Sequence, residues 1–149
     1  MSKVLFFLCF IEVIPLKILM YMFQHSLSFQ DIFSKISSEL TLKNFLYGCI
    51  VTLQSAFIEE VFFRKYITDK LSKYLSPTKT NIVQAILFSA CHFNNVVRGR
   101  SSAKIIFPYL FFRGMMYGIM KSLSNSLFIP TLFHSLHNIK VMLHYTITK

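Results

Sequence analysis

Acidic residues are scarce in this chain: Asp and Glu number six against sixteen Lys and Arg, for a net charge of +10 over 149 residues. Charged residues of both signs make up only 15%, well below the roughly one quarter of a typical soluble domain. Hydrophobic residues fill 54% and the mean hydropathy is +0.52, which excludes an ordinary water-soluble globule. Glycines number only four, and no repeat, low-complexity tract or second domain is visible. The three cysteines, Cys9, Cys49 and Cys91, each sit in an apolar segment without CxxC spacing. That excludes a disulfide framework and a cysteine zinc site, and leaves them as small hydrophobes. The basic balance comes with no soluble basic face or recognition module, so it does not indicate nucleic acid. Lysines and arginines between apolar stretches suit anionic lipid headgroups instead.

What is present is phenylalanine, seventeen of them, in a pattern that suits lipid-facing helices. The composition predicts an all-α fold: a single domain over residues 1–149, built as a polytopic membrane bundle of about five hydrophobic helices. The abundance of Phe, Ile, Lys and Tyr fits an AT-rich coding genome and a bacterial cell membrane.

Val4 to Phe23 is the first apolar segment, interrupted by Glu12, Pro15 and Lys17. It lacks the strongly basic start and small-residue cleavage site of a signal peptide, and reads as a retained first helix. Gln24 to Lys43 is a polar connection with room for a short interfacial helix. Leu42 to about Ile67 is the second helix. Thr68 to Thr80 is polar and basic, with Ser76-Pro77 as a stop or restart. The third helix is predicted over Asn81 to Val97, followed by the basic loop Arg98-Gly99-Arg100-Ser101-Ser102. Lys104 to Lys121 is the fourth, with Gly114 and Gly118 in the GxxxG spacing that lets a neighbouring helix approach. Asn125 begins the fifth. Lysines and arginines fall about equally on the two sides, so orientation does not follow.

Two of the six acids sit together in an apolar run, Phe57-Ile58-Glu59-Glu60-Val61-Phe62-Phe63-Arg64. Isolated charges there would be costly. On a helix Glu60 and Arg64 are i,i+4 neighbours and can neutralise each other. Glu59 is rotated about 100° away, which leaves it without a sequence-local partner. Two further pieces share the form of a polar group with a partner one turn on: Phe88-x-x-x-His92 and His134-x-x-x-Asn138. Each alone is weak, since a lone histidine on an apolar helix is more often a hydrogen-bonded core residue than a ligand. Ionisable groups on three separate apolar helices nevertheless mark a functional site by default, and a bundle can bring them together.

The order EExxxR, FxxxH, HxxxN resembles the CPBP intramembrane protease family, also called the CAAX-protease, bacteriocin-processing or Abi family. Gly114-x-x-x-Gly118 followed by Ser126-Leu127-Phe128-x-Pro130-x-x-x-His134-x-x-x-Asn138 resembles that family's glycine-spaced helix and its SLW-x-P-x-x-x-H-x-x-x-N stretch. Phe128 stands where tryptophan is common. The resemblance spans roughly residues 45 to 140. Members usually carry further N-terminal helices, so it implies a minimal or truncated one.

The resemblance implies amide hydrolysis, which needs an activated water and a stabilised oxyanion. Glu59, matching the first glutamate of the motif, is the general base. His92 orients the water or shares the proton. His134 and Asn138 donate to the oxyanion, and Glu60 with Arg64 forms a structural pair. Alternatively, Glu59, His92 and His134 make a His₂-carboxylate zinc set; the family includes members described as metalloproteases and as metal-independent glutamate proteases. His137 lies off the His134/Asn138 face and reads as structural, His25 and His144 as interfacial. Cys91 is not a nucleophile, and Arg113 needs a partner, for which Glu12 is a candidate.

The implied function is an intramembrane endopeptidase acting on a peptide or lipidated-protein substrate, in bacteriocin or pheromone processing or in self-immunity. The competing class is a non-catalytic membrane immunity or interaction protein that keeps the fold. A proton- or ion-conducting bundle is disfavoured by the lack of an inverted repeat.

Overall fold

The computed structural model describes residues 40–93, 97 and 102–147, together with Ser28 and positions 30, 31, 34, 36 and 38. The expected first helix, Val4 to Phe23, lies outside the described residues, as does His25. Among the described residues every regular element is helical, as the apolar, glycine-poor composition predicts. In the polar connection, the backbone N–H and hydroxyl of Ser28 donate to Asp31 Oδ2 at 2.7 Å each, and the Asp31 N–H returns a bond to Ser28 Oγ at 3.1 Å. This reciprocal cap opens the helical turn there. The Ser28 hydroxyl, and then its N–H, hold the Asp31 carboxyl below the usual carboxylate range.

Helix α1 runs Leu42–Leu71, 30 residues, opened by Thr41 Oγ1 accepting the Asn44 N–H at 3.3 Å. At 1.5 Å per residue it is about 45 Å long, enough to cross a hydrocarbon core of about 30 Å. Leu46, Tyr47, Ile50, Leu53, Phe57 and Phe62 are all exposed on it, which suits lipid contact rather than water. Among the described residues it is the one helix long and apolar enough to cross a membrane. Its regularity breaks at Val61–Ile67, which is π-helical. There the Thr68 N–H reaches back to the Phe63 carbonyl, and the Thr68 hydroxyl donates to the same oxygen at 2.9 Å. Such turns are rare and cluster at functional sites.

Helix α2 is Pro77–Ala90, with Ser76 extended ahead of it and Pro77 in the first turn, where a missing N–H costs nothing. The restart at Ser76-Pro77 is as the sequence predicts; the predicted span Asn81 to Val97 is not. The helix begins four residues earlier and ends at Ala90, because the chain tightens: the His92 N–H turns to the Ser89 carbonyl at 3.2 Å. Helix α3 is Ala103–Ser124, closed by Asn125 in the left-handed conformation at φ 49°, a role asparagine fills more readily than most residues. Asn125 therefore ends α3 instead of beginning the next helix. Helix α4 is Phe128–Ile147, and the Ser126 hydroxyl accepts the Phe128 N–H at 3.1 Å.

The chain divides into two compact units, one of Met1–Ala56 with Leu132–Lys149 and one of Phe57–Thr131. In the first, Gly48 of α1 lies against the Met142 sulfur of α4, where a Cβ would collide. In the second, Phe63, Phe88 and Leu110 form a buried core with Ile67 and Ile106 packed on it. Phe63 and Phe88 meet edge to face at 5.3 Å.

The glycine spacing on α3 does what the sequence implies and lets α2 lie close. A Cβ on Gly114 would come within 2.9 Å of the Ala85 Cα, whereas one on Gly118 would strike the side chains of Asn81 and Gln84. Backbone cannot turn aside, but an amide tip can. Gly114→Ala should therefore destabilise the protein more than Gly118→Ala, by about 1–3 kcal/mol, read as loss of thermal stability in detergent. Equal effects would contradict this packing.

Candidate functional site

Glu60 is the last residue of regular α-helix before the π-helical turn, and Arg64 lies within that turn. Their side chains meet at 3.0 Å (Arg64 Nε to Glu60 Oε2), both with no solvent exposure, as the i,i+4 spacing predicts. Arg64 goes on to tie three helices together. Its Nη2 donates to the Gly114 carbonyl at 3.3 Å, and its guanidinium lies 4.5 Å from the centre of the Phe88 ring and 5.4 Å from that of Tyr117. A buried charge this well surrounded holds its neighbours in register.

The Gly114 carbonyl has a second donor that the sequence reading missed. Gln84, fully buried on α2, gives its Nε2 hydrogens to that oxygen at 3.0 Å and to Asn81 Oδ1 at 2.7 Å. Asn81 Nδ2 in turn donates to the Met115 carbonyl at 3.2 Å. The glycines that admit α2 thus also bare the carbonyls its amides bind.

Glu59 faces differently from Glu60, as the helical rotation requires. Its Oε2 lies 3.9 Å from His92 Nε2, with side chains 29% and 26% exposed. His92 is just beyond the end of α2, not on it. Its Nδ1–H donates to the Phe88 carbonyl at 2.8 Å, and the two rings pack at 5.0 Å. A carbonyl only accepts, so Nδ1 carries a proton and Nε2 is the ring nitrogen nearest Glu59. The 3.9 Å separation is longer than a direct hydrogen bond. A water about 2.8 Å from each fits that gap.

On α4, His134 is buried and Asn138 half-buried one turn on. Thr131 and Ser135, both buried, complete a polar stripe at i, i+3, i+4 and i+7; the signal was in the sequence as small polar residues in an apolar helix. Glu59 and His92 belong to the Phe57–Thr131 unit, and His134 and Asn138 to the other. His137 and His144 are half-buried, and Cys91 is an exposed free thiol. Arg113 is buried beside Tyr109, whose hydroxyl accepts from its Nη1 at 3.0 Å; its suggested partner Glu12 lies outside the described residues.

For zinc, Glu59 and His92 supply two suitable ligand atoms. Tetrahedral ligands about 2.0–2.1 Å from the metal sit about 3.4 Å apart, so the pair would need to close by about half an ångström. Among the described residues no three His, Cys, Asp or Glu side chains converge.

A family model described as "Rce1-like: Type II CAAX prenyl endopeptidase Rce1-like" matches residues 41–140. No curated protein and no solved structure matches the chain.

Proposed function

Because the chain belongs to the Rce1-like family of type II CAAX prenyl endopeptidases, membrane-embedded proteases, we propose that it is an intramembrane endopeptidase hydrolysing a peptide or lipidated-protein substrate. The observation that carries this is the Glu59–His92 pair, whose 3.9 Å separation leaves room for a bridging water. Glu59 takes a proton from that water as its oxygen attacks the substrate carbonyl carbon. His92, its ring fixed through Nδ1, shares that proton and passes it to the leaving amine as the C–N bond breaks. His134 and Asn138 are the proposed donors of hydrogen bonds to the oxyanion. Glu60 and Arg64 touch no reacting atom and hold α1 in position.

The chain would work as a multi-pass bundle of about five helices in a bacterial cell membrane, on a bacteriocin or pheromone precursor or another lipidated peptide. Glu59, His92 and His134 are the residues that would hold zinc, whose chemistry would be Lewis-acid polarisation of the water.

The test is cleavage of a lipidated peptide by the purified chain beside its Glu59→Ala variant, each with and without a chelator. Activity lost on chelation and restored by Zn²⁺ supports the metal set, and chelator-resistant activity supports the glutamate alone. Cleavage undiminished by Glu59→Ala overturns the assignment. A non-catalytic immunity protein would give protection that survives Glu59→Ala and no cleavage at all.

A further inference from the structure

The far end of α1 carries a surface groove on the face turned away from the buried Phe63 and Arg64 and the half-buried Ile67. It is lined by Val61, Lys65, Tyr66, Asp69 and Lys70, which recur at i, i+4, i+5, i+8 and i+9 and so share one side of the helix, and by Lys73 in the turn just beyond Leu71. Three ammonium groups against one carboxylate leave the groove at +2. Among the described residues, none of the three lysines makes an ion pair with Asp69. The apolar wall is ordered: Tyr66 stacks on Phe62 with ring centres 6.0 Å apart and planes 18° from parallel, and the Lys70 ammonium lies 5.7 Å from the centre of the Tyr66 ring. Below this lies the exposed apolar length of α1, and Tyr66 and the lysines mark where it ends.

An aromatic wall on the hydrocarbon side, topped by unpaired ammonium groups, matches one amphiphile. We propose that this groove binds an anionic glycerophospholipid, its phosphate held by Lys65, Lys70 and Lys73 and its acyl chain lying along Phe62, Tyr66 and Val61. A tyrosine ring is suited to the headgroup level, and lysines near the end of a span reach up to it. Charge decides between lipids: a zwitterionic headgroup offers no net attraction to a +2 groove, whereas an anionic one does. The groove is separate from the Glu59–His92 pair, and this inference does not depend on catalysis.

The experiment uses the full chain, delipidated in neutral detergent, with phosphatidylglycerol, phosphatidylcholine of the same acyl chains, or inorganic phosphate as the probe. Binding is read by native mass spectrometry, and by protection of Lys65, Lys70 and Lys73 from an amine-reactive label. Phosphatidylglycerol should bind and protect these three lysines over Lys43, Lys104 and Lys121, and phosphatidylcholine should not. Each Lys→Gln change in the groove should weaken binding about fivefold. Asp69→Asn should strengthen it by a similar factor, a gain that misfolding cannot produce. Equal loss from Lys43→Gln, Lys104→Gln and Lys121→Gln would show a diffuse charge effect and overturn the site. Equal protection by inorganic phosphate would overturn the lipid. Extraction of the chain from membranes by alkaline carbonate would reject the membrane setting itself, independently of the groove.

Discussion

Glu59→Gln should lower peptide cleavage by about 10²–10⁴-fold, the usual worth of a general base, while the folded protein accumulates in the membrane as before. The amide keeps the shape and polar character of the side chain, and with 29% exposure the position tolerates loss of charge without leaving a bare buried ion. What is lost is the proton acceptor. His92→Ala should be comparably damaging, because it removes the facing Nε2, but it also frees the Phe88 carbonyl that the ring now binds at 2.8 Å. The two changes combined should cost little more than either alone, as for residues acting as a unit. Single-turnover cleavage by purified variants, normalised to folded protein, checks this. Multiplicative losses from the pair, or a Glu59→Gln enzyme with ordinary turnover, would sink the shared-water arrangement.

The parts of this site that follow a helical repeat were legible in the sequence. Glu60 and Arg64 pair because four residues make about one turn, and Gly114 and Gly118 admit α2 because they share a face of α3. The family resemblance rested on such spacings and agrees with the match over residues 41–140. The features that were not legible depend on departures from the repeat or on partners distant in the chain. Nothing in Val61-Phe62-Phe63-Arg64 announces π-helical hydrogen bonding, since the extra residue per turn is accommodated by packing around the buried Arg64 and by the Thr68 hydroxyl. FxxxH reads as a single helical face, yet His92 lies past the helix end, and its ring reaches back to the carbonyl that the fifth residue's N–H would have taken. Gln84 and Asn81 looked like unremarkable polar positions until the bared carbonyls of Gly114 and Met115 appeared opposite them. The apolar length of α1 is plain in composition, whereas the number of spans rests on segments, Val4 to Phe23 among them, outside the described residues.

Arg64→Ala and Glu60→Gln should each destabilise the protein by about 3–5 kcal/mol, because each leaves a buried charge without its partner. Set against a typical total of about 5–15 kcal/mol, either loss should cut membrane accumulation sharply and lower the melting temperature in detergent. The two changes are not equivalent. Glu60→Gln removes one partner at 3.0 Å and leaves Arg64 its bond to the Gly114 carbonyl and its contact with Phe88. Arg64→Ala removes all three and opens a void among Phe63, Phe88 and Tyr117, so it should be the worse. Replacing both with apolar residues of similar volume, Glu60→Leu with Arg64→Met, should restore much of the stability, since an ion pair exchanged for packed hydrocarbon is often neutral or better. It cannot restore the Arg64 bond to the Gly114 carbonyl, which keeps only Gln84 as a donor, or the tie across α1, α2 and α3. Cleavage should therefore stay impaired in this double variant even where accumulation recovers, because Glu59 sits one residue from the lost anchor. Recovery of accumulation and cleavage together would show that the pair serves folding alone. Mild and equal effects of all the changes would place both side chains in solvent, against the 0% exposure of each.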